Sequence, residues 1–281
     1  MSDPIANERR VSEDWWRTSI IEMKPGVIRY FGYPIEELIG KVSLTQMIWL
    51  MTRGELPSKL QGELLDAALV SAVDHGPQAP SIAIARMAAT CGVDLNSAMA
   101  SAVNVLGDVH GGAGEQAVVL YLDVAARIDI GVVEADAVQE GVDHFIATRG
   151  KVIPGFGHRF HPVDPRSEPL LALVESAAAS GAVSGRFARI GRAIEAHLTA
   201  RKGKRIPMNI DGATAVIYAE LEFPAPLARG LFCLSRSVGI LAHAWEQTQQ
   251  GDRIKGPIPR QYIPTYSGLA QRPVPLTVLP H

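Results

Sequence analysis

The chain has 281 residues and a nearly balanced charge, with 27 Lys and Arg against 29 Asp and Glu, for a formal net charge of −2. Hydrophobic residues make up 47% of the sequence and charged residues 20%, which is ordinary for a globular core and excludes a disordered chain. The charge balance gives no basis for a polyanionic partner, so it disfavours nucleic acid. The length predicts one large domain or two interlocked domains.

Signals for export, membrane insertion and metal binding are weak. The N-terminal segment has no apolar signal core, and no run of about 18 apolar residues occurs, so we expect no membrane partner. Cys91 and Cys233 are isolated in apolar, helix-like surroundings and match neither a disulfide framework nor a metal-ligand spacing. We interpret them as buried thiols in a reducing compartment, which predicts a cytoplasmic protein without a metal site.

Helical periodicity fills most of the chain. Ser58 and Asp94 are predicted N-caps, and Gly54 and Gly251 are predicted helix ends. Strand signals are limited to residues 26–30 and parts of the loops. Apolar spacing predicts helices over residues 35–50, 59–73, 81–91, 94–106, 114–128, 134–150, 168–179, 184–200 and 225–250.

Three polar loops, at residues 107–115, 150–166 and 205–212, separate these helices and are the first places to look for function. In the first loop, His110 precedes two glycines at a predicted helix start. Glycines there allow backbone to approach a ligand closely, and a helix start favours a negative charge or a neutral imidazole. The alternative is a tight turn in which His110 only caps the helix.

The second loop combines a rigid, side-chain-poor stretch with basic residues. His158 follows Pro-Gly-Phe-Gly at residues 154–157, a stretch that could lie against a flat ligand. Arg159 and Arg166 flank it, and arginine binds carboxylates through two parallel hydrogen bonds. The alternative is a solvated basic surface loop, and we interpret His161 as a solvated histidine.

Four further polar residues have both structural and functional readings. Asp211 opens an apolar helix, where an N-cap is the commoner role. Arg236 interrupts another apolar helix, so it needs an acidic side chain or a ligand carboxylate as a partner. On the same helix, His243 is interpreted as a hydrogen-bonded core histidine. His75 follows a helix end, where a cation is favoured for structural reasons alone.

Taken together and in this order, the motifs resemble the citrate synthase superfamily over residues 16–262. The matching elements are the His-Gly-Gly turn at 110–112, the Pro-Gly-aromatic-Gly-His loop at 154–158 with Asp-Pro-Arg at 164–166, the Asn-x-Asp at 209–211 and the Ser-Arg-x-x-Gly helix at 235–239. Details at 74–77 (DHGP), 107–108 (GD), 157–159 (GHR) and 209–212 (NIDG) favour short citryl-CoA lyases and the citrate-synthase-like end of ATP citrate lyase. The family's His-x-Asp-His-Glu motif keeps its second histidine as His75, but Ala72 and Gly76 replace its first histidine and its glutamate, which disfavours ordinary citrate synthase activity.

This resemblance implies an all-α fold. A large helical domain from residues 1–110 and 221–281 would carry an inserted smaller helical domain, residues 111–220, in an intertwined homodimer. The family's C-terminal cation, which reaches into the neighbouring subunit's site, would be Lys255 or Arg260.

The resemblance also implies residue roles. The catalytic groups would be His110, which steadies the thioester oxygen; His158, which accepts the proton of the tertiary alcohol; and Asp211, which protonates the enol carbon. His75, Arg166 and Arg236 would hold the carboxylates of the oxo acid. The coenzyme A site would be lined by backbone around Val152, Ile153, Gly155 and Phe156, with Asn209 nearby.

The activity implied is cleavage of citryl-CoA into acetyl-CoA and oxaloacetate. No tightly bound cofactor is expected, since coenzyme A is part of the substrate. The alternatives are a small citrate or 2-methylcitrate synthase, a lyase for a related substrate such as citramalyl-CoA, and a non-catalytic helical scaffold. Retention of His110, His158 and Asp211 together speaks against the scaffold.

Overall fold

Helices dominate the structure, and the predicted all-α class is confirmed. The computed structural model describes residues 11–157 and 162–274, so His158, Arg159 and His161 lie outside the described residues. The helices are α1 (Ile35–Leu38), α2 (Leu44–Arg53), α3 (Lys59–Ser71), α4 (Pro80–Thr90), α5 (Leu95–Val103), α6 (Ala113–Asp129), α7 (Glu134–Arg149), α8 (Ser167–Ala179), α9 (Arg186–Lys202), α10 (Ile210–Glu220) and α11 (Ala225–Gln250).

A small antiparallel sheet lies directly before α1. Its strands are β1 (Ile21–Lys24), β2 (Val27–Tyr30) and β3 (Tyr33–Pro34), in the order β1-β2-β3. None of their residues is buried, and each strand has at most four residues, which is too short for an alternation of apolar and polar residues to stand out. For this reason the sequence indicated only part of this sheet.

The helix predicted over residues 35–50 is wrong, because the chain forms two helices there. Helix α1 ends at Leu38, and α2 begins after the N-cap Ser43. The Ser43 hydroxyl accepts from the Gln46 N–H, and the Gln46 side chain accepts from the Ser43 N–H. This capping box fixes a helix start inside an apolar pattern that runs through the break.

The other predicted N-caps have different outcomes. Ser58 forms the same kind of capping box with Gln61, as its position predicted. Asp94 occupies the N-cap of α5, but its side chain makes no capping hydrogen bond.

The cysteine prediction is wrong for Cys91, which is exposed at the end of α4, whereas Cys233 is partly buried.

Helix α10 lies at the centre of the main core. Every residue from Gly212 to Glu220 is buried, and the helix packs against α3, α6, α8 and α9. A second cluster joins α4, α5 and α11 through residues such as Ile82, Ala98 and Ile240. The division into domains of 111–220 and the two flanking segments stays a prediction.

Helix α11 is the long helix that links these clusters. Within the described ranges it is the one helix with the length and mean hydropathy (1.2) of a membrane span. Its buried positions include Ser235, Arg236 and Gln247, and it packs against α4, α5 and α6. Of the apolar stretch, 39% is buried inside the protein, and the buried polar residues Ser235, Arg236 and Gln247 have hydrogen-bond partners there.

We expect Glu220→Ala to lower the free energy of unfolding by about 3 kcal/mol, because it leaves buried donors unpaired. The buried Glu220 carboxylate accepts the N–H groups of Gly185, Phe187 and Ala188 at 2.9, 2.7 and 3.3 Å, and the Ser184 hydroxyl at 2.8 Å. It therefore caps the start of α9 from the end of α10. Urea unfolding measures the change.

The matched control is Glu63→Ala. Glu63 is exposed and pairs with Lys59 one helical turn away at 3.8 Å, a contact worth only a few tenths of a kcal/mol. Equal losses in the two variants would contradict the capping role of Glu220.

Candidate active site

A cavity of about 700 Å³ gathers most of the residues predicted to do chemistry. Its wall includes His75, His110, Arg166, Asp211 and Arg236. The remaining predicted residue of that set, His158, lies outside the described residues. In the part of the chain that the structure describes, no three His, Cys, Asp or Glu side chains are grouped to hold a metal ion.

Helix starts surround this cavity. Among the described residues, α4, α6 and α10 each place their first turn on the wall, and Arg166 is the N-cap of α8. The first N–H groups of a helix have no partner within the helix, and the helix dipole adds partial positive charge there. Together with Arg166 and Arg236, these helix starts make the cavity a site for anionic groups.

The contacts of His110 fix its tautomer. The Ser81 N–H, in the first turn of α4, donates to Nε2 at 3.2 Å, and the Ser81 hydroxyl lies 3.0 Å from the same atom. A nitrogen that accepts from an N–H carries no proton, so the proton is on Nδ1. Burial lowers the pKa of His110, and the charges of Arg236 and His75 lower it further. His110 is therefore a neutral imidazole that can donate through Nδ1.

Asp211 is not the N-cap of α10, although this is the commoner role for an aspartate at the start of a helix. Asn209 holds that position, and its Oδ1 accepts the N–H groups of Asp211 at 3.0 Å and Gly212 at 3.2 Å. The Asp211 carboxyl is thereby left to the cavity wall. Burial raises its pKa, although the charges of Arg166 and Arg236 oppose the shift. Such a carboxyl is suited to giving and taking a proton.

Arg166 is oriented by Asp164, a residue whose role the sequence reading missed. Two parallel hydrogen bonds, Nε to Oδ1 and Nη2 to Oδ2, join the pair at 2.9 Å each. The same carboxylate accepts the backbone N–H of Ile210 at 3.0 Å, which ties the loop to the start of α10. Burial opposes ionisation, but these hydrogen bonds lower the pKa of Asp164 to about 2. The available signal was its place directly before Pro165-Arg166.

Arg236 is buried, and burial lowers its pKa. Its Nε donates to the Ala72 carbonyl at 3.1 Å, and its guanidinium lies 4.9 Å from the centre of the Phe232 ring. Within residues 11–157 and 162–274, no carboxylate forms an ion pair with it. Of the two partners that the sequence left open, a ligand carboxylate therefore fits the structure.

The Ser-Arg-x-x-Gly motif packs α11 against the segment before His75. The Ser235 hydroxyl donates to the Leu69 carbonyl. A Cβ atom at Gly239 would lie 2.2 Å from the Val73 carbonyl oxygen, so only glycine allows this approach. The motif thus brings Arg236 and His75 to the same cavity.

The loop predicted to line coenzyme A packs against the start of α10. The Asn209 N–H donates to the Gly155 carbonyl at 2.9 Å, and the Asn209 side chain donates to the Gly157 carbonyl at 2.6 Å. A Cβ atom at Gly155 would lie 2.7 Å from the Gly212 Cα, which explains why both motifs carry glycine. The backbones of the two motifs are in direct contact.

The other residues of that loop differ in exposure. The side chains of Ile153 and Phe156 are buried, and the Phe156 ring meets Tyr121 edge to face. Val152 is 83% exposed. None of the predicted coenzyme A residues is part of the cavity wall described above. Of the side chains predicted to line coenzyme A in this loop, only that of Val152 is exposed to a ligand.

Comparison with known proteins bears on the same region. The family described as "Citrate synthase, C-terminal domain" matches residues 58–258, which include the whole cavity wall. The chain belongs to the citrate synthase family.

Relatives with different activities are similar to this member of the family. Citrate synthase from Haloferax volcanii is 31% identical over 207 residues, 73% of this chain and 52% of that protein. The structure of citryl-CoA lyase from Hydrogenobacter thermophilus has a TM-score of 0.82 and 30% identity, and the match covers 94% of this chain and 98% of that one. Citrate synthase from Thermoplasma acidophilum, in a ternary complex with carboxymethyl coenzyme A and oxaloacetate, has a TM-score of 0.65 and 25% identity over 84% of this chain and 60% of that one. The chain spans about half the length of the curated relatives it matches.

We expect Asp164→Asn to lower the free energy of unfolding by about 2 kcal/mol at pH 7, because each unit of pKa shift corresponds to about 1.4 kcal/mol. The pKa of Asp164 is lowered from 3.8 to about 2, so the carboxylate stabilises the fold above pH 4 and loses this effect as the pH falls towards 2. The difference between wild type and variant should therefore shrink by about half at pH 3. Urea unfolding at pH 7 and pH 3 measures it, and a difference that does not change with pH would contradict the assignment.

Proposed function

We propose that the chain is a citryl-CoA lyase-like enzyme that cleaves citryl-CoA into acetyl-CoA and oxaloacetate. The observation that carries the proposal is the single cavity in which a neutral His110 and a protonatable Asp211 lie with Arg166 and Arg236. Carbon–carbon cleavage beside a thioester needs a donor for the developing enolate oxygen, a proton for the enolate carbon and cations for the carboxylates.

The proposed reaction assigns one step to each group. Loss of the proton from the tertiary alcohol forms the carbonyl of oxaloacetate as the adjacent carbon–carbon bond breaks, and the electron pair moves into the thioester enolate. His110 Nδ1–H donates to the enolate oxygen. Asp211 then transfers its proton to the enolate carbon, which gives acetyl-CoA. The residue proposed to accept the alcohol proton is His158.

Several features favour the lyase over a synthase. The structure of the citryl-CoA lyase has a TM-score of 0.82, whereas that of the Thermoplasma acidophilum citrate synthase has a TM-score of 0.65. The replacements at Ala72 and Gly76 point the same way. The second candidate, a small citrate or 2-methylcitrate synthase, is supported by the names of the curated relatives. A lyase for citramalyl-CoA or a similar thioester is a variant of the first proposal.

We further propose a homodimer. Helix α11 presents an apolar stripe at helical spacing, formed by Leu234, Val238, Leu241 and Trp245, whose exposures lie between 41% and 59%. Such a stripe on a long helix is typical of a helix–helix interface. The segment 251–274 is also exposed and carries apolar residues along its length.

The same segment supplies the proposed cation for the neighbouring subunit. Lys255 is held within its own chain, because its Nζ pairs with Asp252 at 2.6 Å and its N–H donates to the Thr90 hydroxyl at 3.0 Å. We therefore assign the neighbouring cation to Arg260, which lies farther along the segment.

The first experiment follows oxaloacetate release from citryl-CoA through a coupled dehydrogenase. We expect release without free coenzyme A, because cleavage leaves the thioester intact. Asp211→Asn should retain the fold and lower turnover at least about a hundredfold, because the amide cannot supply the proton. A circular dichroism spectrum checks the fold.

Two results would contradict the lyase proposal. Free coenzyme A formed from oxaloacetate with acetyl-CoA or propionyl-CoA, without release from citryl-CoA, would identify a synthase. Near-normal turnover by Asp211→Asn would remove Asp211 from the reaction.

The dimer predicts that Val238→Glu combined with Leu241→Glu halves the mass in sedimentation equilibrium, because charge enters an apolar interface. Leu173→Glu is the control, since Leu173 is 47% exposed on α8, away from the stripe. A monomeric wild-type protein, or an unchanged mass in the double variant, would disprove the interface.

A further inference from the structure

One face of α11 holds the segment that carries His75 into the cavity. Arg236, Gly239 and His243 lie one turn apart on this face, at the spacing of residues that share a helix surface. Each contacts one of three successive residues of the segment. These contacts are the Arg236 hydrogen bond to Ala72, the close approach of Gly239 to Val73, and the hydrogen bond between His243 and Asp74.

The last of these contacts depends on Arg86 of α4. Arg86 Nη1 donates to His243 Nδ1 at 3.1 Å, and since a guanidinium can only donate, Nδ1 carries no proton. The proton of His243 is therefore on Nε2, which donates to Asp74 Oδ2 at 3.2 Å. Arg86 is itself held by Glu246 and by Gln250, the latter at 2.8 Å.

Asp74 closes a turn around His75. The Asp74 Oδ2 atom that accepts from His243 also accepts the backbone N–H of Gly76 at 3.1 Å. The Asp74 side chain therefore links the residues on both sides of His75. Burial opposes ionisation of Asp74, but the hydrogen bonds from His243 and Gly76 lower its pKa. The conformation at His75 thus depends on a charged carboxylate that His243 keeps in place.

We propose that His243 and Arg86 are positioning residues that fix His75 relative to Arg236 and so set the affinity for the dicarboxylic oxo acid. The inference rests on the proposed function, and it assigns a role to residues that do not line the cavity. The other groups of the site have separate supports, since His110 is held by Ser81 and the backbone of Asp211 by Asn209. Loss of the His243 contact should therefore affect the oxo acid and leave the thioester half alone.

The test compares His243→Leu with His243→Gln in the whole protein. Leucine removes both hydrogen bonds, whereas the glutamine amide offers one acceptor for Arg86 and one donor for Asp74. For His243→Leu we expect the Kd for oxaloacetate, measured by calorimetry, and its KM in the reverse condensation with acetyl-CoA to rise at least about tenfold, because small displacements of binding groups are costly. The KM for the acyl-CoA and kcat at saturation should change less than about threefold, and His243→Gln should recover most of the loss.

Two controls bracket the effect. Arg236→Leu removes the guanidinium that is proposed to bind a carboxylate of the oxo acid, so it should give the largest loss of oxaloacetate binding. His144→Leu removes a second histidine–carboxylate pair, with Asp123 at 3.3 Å on α6, and should leave both substrates unaffected.

The possible outcomes separate this inference from the proposed function. Wild-type affinity for oxaloacetate in His243→Leu would overturn the positioning role while the enzyme remains active. Equal losses in the leucine and glutamine variants, for both substrates and with a lower Tm, would show a purely structural role and also overturn it. A wild-type protein that neither binds oxaloacetate nor cleaves citryl-CoA would overturn the proposed function first, and the positioning role with it.

Discussion

The structure depends on a concentration of positive charge around the carboxyl group of Asp211. The starts of α4, α6, α8 and α10 meet at the cavity, and Arg166 and Arg236 add full charges to their partial ones. Buried cations are costly unless they are paired, so each arginine needs a fixed support. Asp164 supports Arg166 with two hydrogen bonds, whereas Arg236 has a carbonyl and an aromatic ring and no carboxylate among the described residues. Arg166 is thus oriented by a carboxylate of its own chain, whereas the proposed partner of Arg236 is a substrate carboxylate.

Asp164 also explains why two motifs that are far apart in the sequence occur together. The loop ending in Asp164-Pro165-Arg166 and the Asn209–Asp211 motif are joined because one carboxylate, Asp164, accepts from both Arg166 and Ile210. The close approach of Gly155 to Gly212 joins the same two regions a second time. The motifs are far apart in sequence, but they form one packed unit at the start of α10.

Much of the fold could be predicted because the helices are long and their apolar spacing is regular. Helix α11 begins and ends where its flanking prolines and Gly251 indicate. The break between α1 and α2 was missed because a Ser43–Gln46 capping box competes with an apolar pattern that continues across it. Exposure of Cys91 was missed for a related reason, since an apolar neighbourhood in sequence does not determine which side of a helix end faces solvent.

The residues of the candidate site also fall into those that could be recognised from the sequence and those that could not. Residues such as His110 and Arg236 stand out in sequence because they are polar groups in apolar or glycine-rich surroundings. Asp164, Ser81, Arg86 and His243 act through other side chains, and their roles depend on contacts between segments far apart in the chain, which no spacing pattern encodes. The tautomer of His110 is the clearest case, because a backbone N–H of another helix determines which of its nitrogens carries the proton.

The electrostatics of the cavity also link binding to proton transfer in the proposed reaction. The charges of Arg166 and Arg236 lower the pKa of Asp211, whereas burial raises it. Substrate carboxylates bound to these arginines would neutralise their effect and exclude water at the same time. Both changes raise the pKa of Asp211 further, so the carboxyl would hold its proton most firmly when substrate is bound. Once the carbon–carbon bond breaks, the enolate carbon becomes a much stronger base than the carboxylate, and the proton held by substrate binding is the one transferred to it.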